Sequence, residues 1–89
     1  MNIEVLFFGQ IRELVAVRQT TVVMNDGAKL ADLIEHLGEE YGDNFCHEVN
    51  TIRRLQILIN GQQHTFLGGI EAPLKEGDTV VFLPPIFGG

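Results

Sequence analysis

From Asn2 to Phe8 the chain alternates: Ile3, Val5 and Phe7 point one way, and Asn2, Glu4, Leu6 and Phe8 the other. A period of two filled with β-forming residues predicts a strand. Gly9 breaks it, and Gln10 to Leu14 predicts a short helical turn with Ile11 and Leu14 on one side. Thr20 to Met24 is a second β-rich run, stopped by the turn residues Asn25-Asp26-Gly27. The first two strands are therefore expected to form a hairpin joined by a long connection.

The period then changes. Leu30, Leu33, Ile34, Leu37 and Tyr41 recur at i, i+3, i+4, i+7 and i+11, one apolar stripe of a helix. Asp32, Glu35, His36, Glu39 and Glu40 fill the other side, and Gly42 is a plausible C-cap. Lys29 stands where an N-capping Ser or Thr is expected, so the start is less marked than the end. Residues 43–54 read as a further helical turn and a loop. Leu55 to Ile59 is a strand, Asn60-Gly61 the strongest hairpin-turn signal, and Gln62 to Leu67 a short polar strand. Ala72 to Asp78 is a turn region, and Thr79 to Leu83 the last strand.

Strand, strand, helix, strand, short strand, strand is the order of the ubiquitin-like β-grasp, an α+β fold. A mixed sheet of four to five strands packs on one main helix, with the first and last strands parallel at its centre. Val5-Leu6-Phe7-Phe8 and Val80-Val81-Phe82-Leu83 are apolar on both faces, as central strands tend to be. The expected organisation is one domain over 1–83 and an extended, flexible tail over 84–89.

A single main helix covers only one face of such a sheet. If Ile3, Val5 and Phe7 meet it, Leu6, Phe8, Leu58, Val81 and Leu83 share the outer face. They then form one exposed apolar patch, the usual mark of an interface, unless the Ile11–Leu14 or 43–54 segment folds over them.

Composition narrows the function. Eighty-nine residues leave no room for a second core. Six basic residues against twelve acidic ones, a net charge of −6, argue against nucleic-acid binding. No apolar stretch approaches the roughly 20 residues of a membrane span, and no cationic leader precedes the first apolar run. One cysteine, Cys46, excludes an intramolecular disulfide and fits a reducing cytoplasm, the expected location. This is a poor toolkit for an independent enzyme.

After Leu83 the chain reads Pro84-Pro85-Ile86-Phe87-Gly88-Gly89. Prolines donate no backbone hydrogen bond, so the strand must end there, and they stiffen an extended segment directed away from the domain. A terminal Gly-Gly alone means little, since chance places it on about one chain in two hundred. The internal Gly68-Gly69 pair, best read as a loop, makes the same point.

The whole pattern resembles the MoaD/ThiS family of ubiquitin-like sulfur carriers, and within it the small subunit of molybdopterin synthase. The resemblance rests on Val5-Leu6-Phe7-Phe8-Gly9-Gln10-Ile11-Arg12-Glu13-Leu14, on Asp32-Leu33-Ile34-Glu35-His36-Leu37, on Ile59-Asn60-Gly61 and on Pro73 to Gly89. It spans nearly the whole chain. The Pro-Pro-x-x-Gly-Gly ending after "PLxxGDxVxFxPP" is specific to that branch, and the shorter thiamine carriers lack the double proline. Residues 43–54 are longer than in compact bacterial members and similar to archaeal relatives, some of which also act as protein modifiers. Phe87 stands before Gly88 where a small residue is expected.

The resemblance implies that Gly89, with Gly88 beside it, is the reactive group. A ubiquitin-activating-type adenylating enzyme (MoeB-like) would join its carboxylate to AMP from ATP. A sulfur donor would then convert the acyl-adenylate to a thiocarboxylate. The carboxylate, with a pKa of about 3.5, is a usable nucleophile toward phosphate but a dead electrophile until adenylation supplies a leaving group. Two residues without Cβ thread a narrow channel. The thiocarboxylate arm would enter the molybdopterin synthase large subunit (MoaE-like), two carriers serving each dithiolene of the molybdenum or tungsten cofactor. Docking is expected through Phe8, Leu58, Val81, Leu83, Pro84, Pro85, Ile86 and Phe87, with Phe8 and Leu83 central. No tightly bound cofactor, metal, nucleic acid or membrane is expected. The alternatives are a ubiquitin-like modifier, a carrier for another pathway such as tRNA thiolation, and an inert adaptor using only its sheet face.

Other side chains weigh less. Adjacent Cys46 and His47 rarely orient as nucleophile and base, and a partly buried structural cysteine is the plainer reading. His36 and His64 lie on polar stretches and are expected in solvent. Arg53-Arg54 is too short for a nucleic-acid patch. Arg12 and Lys75 are candidates to pair with partner carboxylates, and the acidic helix face to steer a basic partner.

Overall fold

The β-branched and aromatic runs form strands and the apolar stripe forms a helix in the computed structural model, which describes residues 1–85. In chain order these are β1 (Asn2–Phe7), α1 (Gly9–Val15), β2 (Gln19–Val23), α2 (Leu30–Tyr41), α3 (Asp43–Thr51), β3 (Gln56–Ile59), β4 (Gln62–Gln63) and β5 (Thr79–Leu83). Two 3₁₀ turns, His64–Leu67 and Gly69–Glu71, separate β4 from β5. The strands make one sheet in the order β2-β1-β5-β3-β4. β1 and β5 are parallel, with Val5 beside Val80 and Phe7 beside Phe82, and every other neighbouring pair is antiparallel. This is the β-grasp arrangement.

One face of the sheet makes the core. Ile3, Val5, Phe7, Val80 and Phe82 have no exposed surface, and Ile57, Ile59 and Val22 nearly none. Ile11 and Val15 of α1, Leu30, Leu33 and Leu37 of α2 and Phe45 of α3 join them in one cluster. Each large side chain so buried contributes about 1.5–3 kcal/mol. Phe7 is the hub: its ring stacks on Phe82 at 5.9 Å and meets the edges of Tyr41 at 5.9 Å and Phe45 at 6.2 Å.

α2 begins at Leu30 without a capping hydroxyl. Instead the Lys29 backbone N–H donates to the Asp32 carboxylate at 2.8 Å, so the N3 residue supplies the cap. Gly38 lets α3 cross closely, because a Cβ there would stand 2.5 Å from Cys46 Sγ.

Three expectations need correction. Residues 43–51 form a nine-residue helix rather than a single helical turn, because Phe45 inserts fully into the core, and only 52–54 make the loop. The helical turn after β1 runs from Gly9 to Val15, and Val15 rather than Leu14 is its second buried residue. The strand expected over 62–67 stops at Gln63. There the Ile57 carbonyl accepts a hydrogen bond from Nδ1 of His64 at 3.2 Å, where a longer β4 would have placed its backbone. His64 is thus half-buried rather than in solvent.

Candidate functional site

β5 runs between β1 and β3 and carries the chain out of the sheet at Leu83. The last bond to β1 is Phe8 N–H to the Phe82 carbonyl at 3.1 Å. Pro84 follows, and it is buried rather than directed away from the domain. Its ring lies over Gly9, where a Cβ would meet Pro84 Cγ at 3.4 Å. Gly9 also has φ of +58°, a conformation that favours glycine. Its role is to turn the chain at the end of β1, since the Pro84 ring packs at ordinary van der Waals distance. Pro84 is thus held in place at the exit of β5, with Pro85 half-buried after it.

Beside that point lies a shallow cleft of about 310 Å³ lined by Arg54, Gln56, Leu83, Pro84 and Pro85. Arg54 is exposed and adopts φ of +62° just before β3. Gln56 pairs with Leu83 across the ladder. Neither Arg54 nor Gln56 was expected at the arm's root, since the signal that places them is the β3–β5 register rather than their residue type.

The outer face carries the apolar row. Leu6 and Leu58 flank Val81 on either side, with Phe8 and Leu83 beyond them toward the arm, and all five are half-buried. The buried residues of α1, α2 and α3 belong to the core on the other face, so of the two segments suspected of covering this row only α1 touches it, through Arg12. Arg12 borders it. Its Nε donates to the Phe7 carbonyl at 3.0 Å, and its guanidinium lies 4.9 Å from the Phe8 ring centroid, in cation–π contact.

Phe8, Leu58, Val81 and Leu83 are thus brought together beside the root of the arm, with Pro85 adjoining and Pro84 beneath the surface. Ile86, Phe87, Gly88 and Gly89 lie outside the described residues. Lys75 belongs elsewhere. Its backbone N–H donates to Asp78 at 2.8 Å, at the entry of β5 rather than its exit. Asp78, nearly buried, also accepts from Asn60 Nδ2 at 2.8 Å, and the Asn60 side-chain oxygen accepts from Thr79 N–H at 3.0 Å. That polar knot fixes the entry of the strand whose other end launches the arm.

The remaining candidates stay apart. Cys46 is half-buried against the Ile34 carbonyl, and His47 is exposed. His36 pairs with Glu40 one turn on, at 3.8 Å. Among the described residues no three His, Cys, Asp or Glu side chains are grouped to hold a metal, and no helix is long and apolar enough to cross a membrane.

Known proteins show the same pattern. Residues 5–89 match the model of the ThiS family. The molybdopterin synthase sulfur carrier subunit of Haemophilus influenzae is 33% identical over 88 residues, covering 98% of this chain and 99% of that one. Small archaeal modifier protein 3 of Haloferax volcanii is 28% identical over 92 residues, covering 100% of both. A chain in the complex of subunits 1 and 2 of the molybdopterin-converting factor from Helicobacter pylori superposes with a TM-score of 0.64 at 27% identity, covering 100% of each.

Proposed function

The chain belongs to the ThiS family, and on that premise we propose that it is a sulfur carrier acting as the small subunit of molybdopterin synthase. The observation that carries the reading is the exit of the arm: central strand β5 ends at Leu83, and Pro84 follows, buried over Gly9, beside a half-buried apolar face that no apolar side chain of the helices covers. Five residues, Pro85 to Gly89, extend beyond that anchor. A carrier needs a docking surface and a reactive end held at a constant distance from it. Likeness to a chain in a complex of subunits 1 and 2 of the molybdopterin-converting factor supports a partner of that kind.

In the proposed cycle a Gly89 carboxylate oxygen attacks the α-phosphorus of ATP on an adenylating enzyme, and pyrophosphate leaves. Sulfur from a donor then forms a bond to the acyl carbon as the bond to AMP breaks, leaving a thiocarboxylate. The arm enters the large subunit, which supplies the groups that move sulfur onto the pterin precursor. Phe8, Leu58, Val81 and Leu83 supply the apolar contact, and Arg12 a charge at its margin.

Intact-mass measurement after incubation with adenylating enzyme, ATP and a sulfur source is expected to show one oxygen replaced by sulfur. Deletion of Gly89 is expected to abolish both that change and pterin conversion. An unchanged mass together with full activity of the deletion variant would overturn the reading. Similarity to an archaeal modifier protein favours a second role, amide linkage of Gly89 to lysine. Lysine peptides carrying the Gly88-Gly89 remnant in cell lysates would establish it, and their absence at rest and under stress would dismiss it.

A further inference from the structure

β2 is an edge of the sheet, and its free side carries an unused ladder. Phe7 N–H donates to the Arg18 carbonyl at 2.9 Å, and Met24 N–H to the Met1 carbonyl at 2.8 Å. These bonds set the phase of the β1–β2 pairing. Arg18, Thr20, Val22 and Met24 turn their backbone groups toward β1, so Gln19, Thr21, Val23 and Asn25 turn theirs outward. Those four residues are exposed, Val23 at 73%. Edges are usually blunted by charge, proline, a bulge or extreme shortness. Gln19–Val23 has neither charge nor proline, and its five residues pair with β1 in unbroken register. The opposite edge, β4, has only two residues.

Charge makes the β2 edge self-complementary. Arg18 stands just before the strand and Asp26 three residues after it, in the turn closed by Ala28 N–H and the Asn25 carbonyl; both are exposed, Asp26 at 98%. The nearest cation to Asp26 is the N-terminal ammonium at 4.0 Å. We propose that a second copy of this chain pairs with this edge, β2 against β2 and antiparallel, with Val22 opposite Val22. In that register Thr21 of each copy exchanges backbone hydrogen bonds with Val23 of the other, and the Gln19 carbonyl stands opposite Asn25 N–H, the Asn25 carbonyl already accepting from Ala28 N–H at 3.2 Å. Arg18 of each copy faces Asp26 of the other, giving two symmetric ion pairs. The outward phase allows only registers displaced by two residues, which set Arg18 opposite Met24 or Ala28 and lose both pairs.

The two-fold axis stands perpendicular to the sheet, so the interface is isologous. Both apolar outer faces then lie on one side of a continuous ten-stranded sheet, and the two arms leave at opposite ends. The pairing therefore competes neither with partner docking nor with arm entry, and it does not depend on the proposed function. The contact is narrow and both copies are acidic, so the dimer is weak and concentration-dependent.

Sedimentation of the full chain up to about 1 mM, where weak contacts of this size become visible, is expected to show an average mass rising from one copy toward two. Amide exchange over the same range is expected to slow at Gln19, Thr21 and Val23 and to stay constant at Thr20 and Val22, whose N–H groups already bond to β1. Arg18→Asp and Asp26→Arg are each expected to raise the dissociation constant about tenfold, and the double swap to restore it, since two cross-strand charge pairs reverse together. Thr21→Pro removes no backbone bond to β1, losing only the Thr21 hydroxyl's bond to the Glu4 carboxylate; it is expected to abolish the dimer, and Val23→Lys serves the same purpose if the proline variant folds poorly. A single-copy mass at every concentration would overturn the proposal. So would a dimer that survives Thr21→Pro and Val23→Lys, or slowed amides that appear only when an extended peptide of another protein is added.

Discussion

Phe7 and Phe8 are adjacent in the chain and point to opposite faces of the sheet. Phe7 has no exposed surface and is held by three aromatic rings from β5, α2 and α3. Phe8 is half-buried, and a stacked arginine is its charged neighbour on the outer face. The first face is satisfied within the chain, by side chains from three helices. The second leaves apolar area for which the described residues supply no helix. The contrast is a division of labour: one face sets stability, and the other stays open for the proposed docking.

That division can be broken by substitution, starting with the largest expected change in stability. Phe7→Ala is expected to cost about 3–5 kcal/mol, read by urea unfolding, because it empties the centre of the aromatic cluster. A loss below about 1 kcal/mol would place the core elsewhere. Asp78→Ala is expected to cost about 1–3 kcal/mol in the same assay, since the Asn60 amide and the Lys75 N–H lose a nearly buried acceptor. On the outer face, Phe8→Asp and Leu83→Asp are expected to cost less stability than Phe7→Ala yet abolish binding to a molybdopterin synthase large subunit in calorimetry. Equal stability losses at Phe7 and Phe8 would erase the distinction. Arg12→Ala is expected to cost about 0.5–1 kcal/mol by loss of the cation–π contact.

The smallest effect concerns pH. Burial, and then the charge of Glu40, raise the Tyr41 pKa above its ordinary 10, while a hydrogen bond with Thr20 partly opposes them. The folded state thus holds this proton more tightly than the unfolded chain does. Stability from this group is complete below pH 10 and is lost as pH rises through the higher folded value. Tyr41 is the only tyrosine and there is no tryptophan, so tyrosinate absorbance reports it directly. Its midpoint is expected above that of the urea-unfolded chain, and Tyr41→Phe is expected to remove this part of the alkaline loss.

Period alone reached much of the fold. The alternation in β1, the stripe of α2, the Asn60-Gly61 turn and the bounds of β5 were all legible, because in each the burial pattern repeats over neighbouring residues. What stayed hidden depended on few residues. Phe45, Val49 and Ile52 stand at i, i+4 and i+7, a stripe only three residues long in a polar segment, so the period that marks α3 was too brief to be read. His64 ends β4 through a ring nitrogen, which no strand propensity records. Pro84 read as the first residue of the arm, and its burial over Gly9 appears only when β1 and β5 are brought side by side.

By itself, the sequence determined the element order, the two-faced central strands and the Gly-Gly end, since these follow from local period and residue chemistry. Only the tertiary structure decided that all three helices share one face, leaving Leu6, Phe8, Leu58, Val81 and Leu83 half-buried on the other. It also decided that the arm starts from a locked proline beside Arg54 and Gln56, and that β2 presents an unblunted edge bounded by Arg18 and Asp26. Each of these depends on which distant segments pack together, and contact across the chain leaves no period in the sequence to be read.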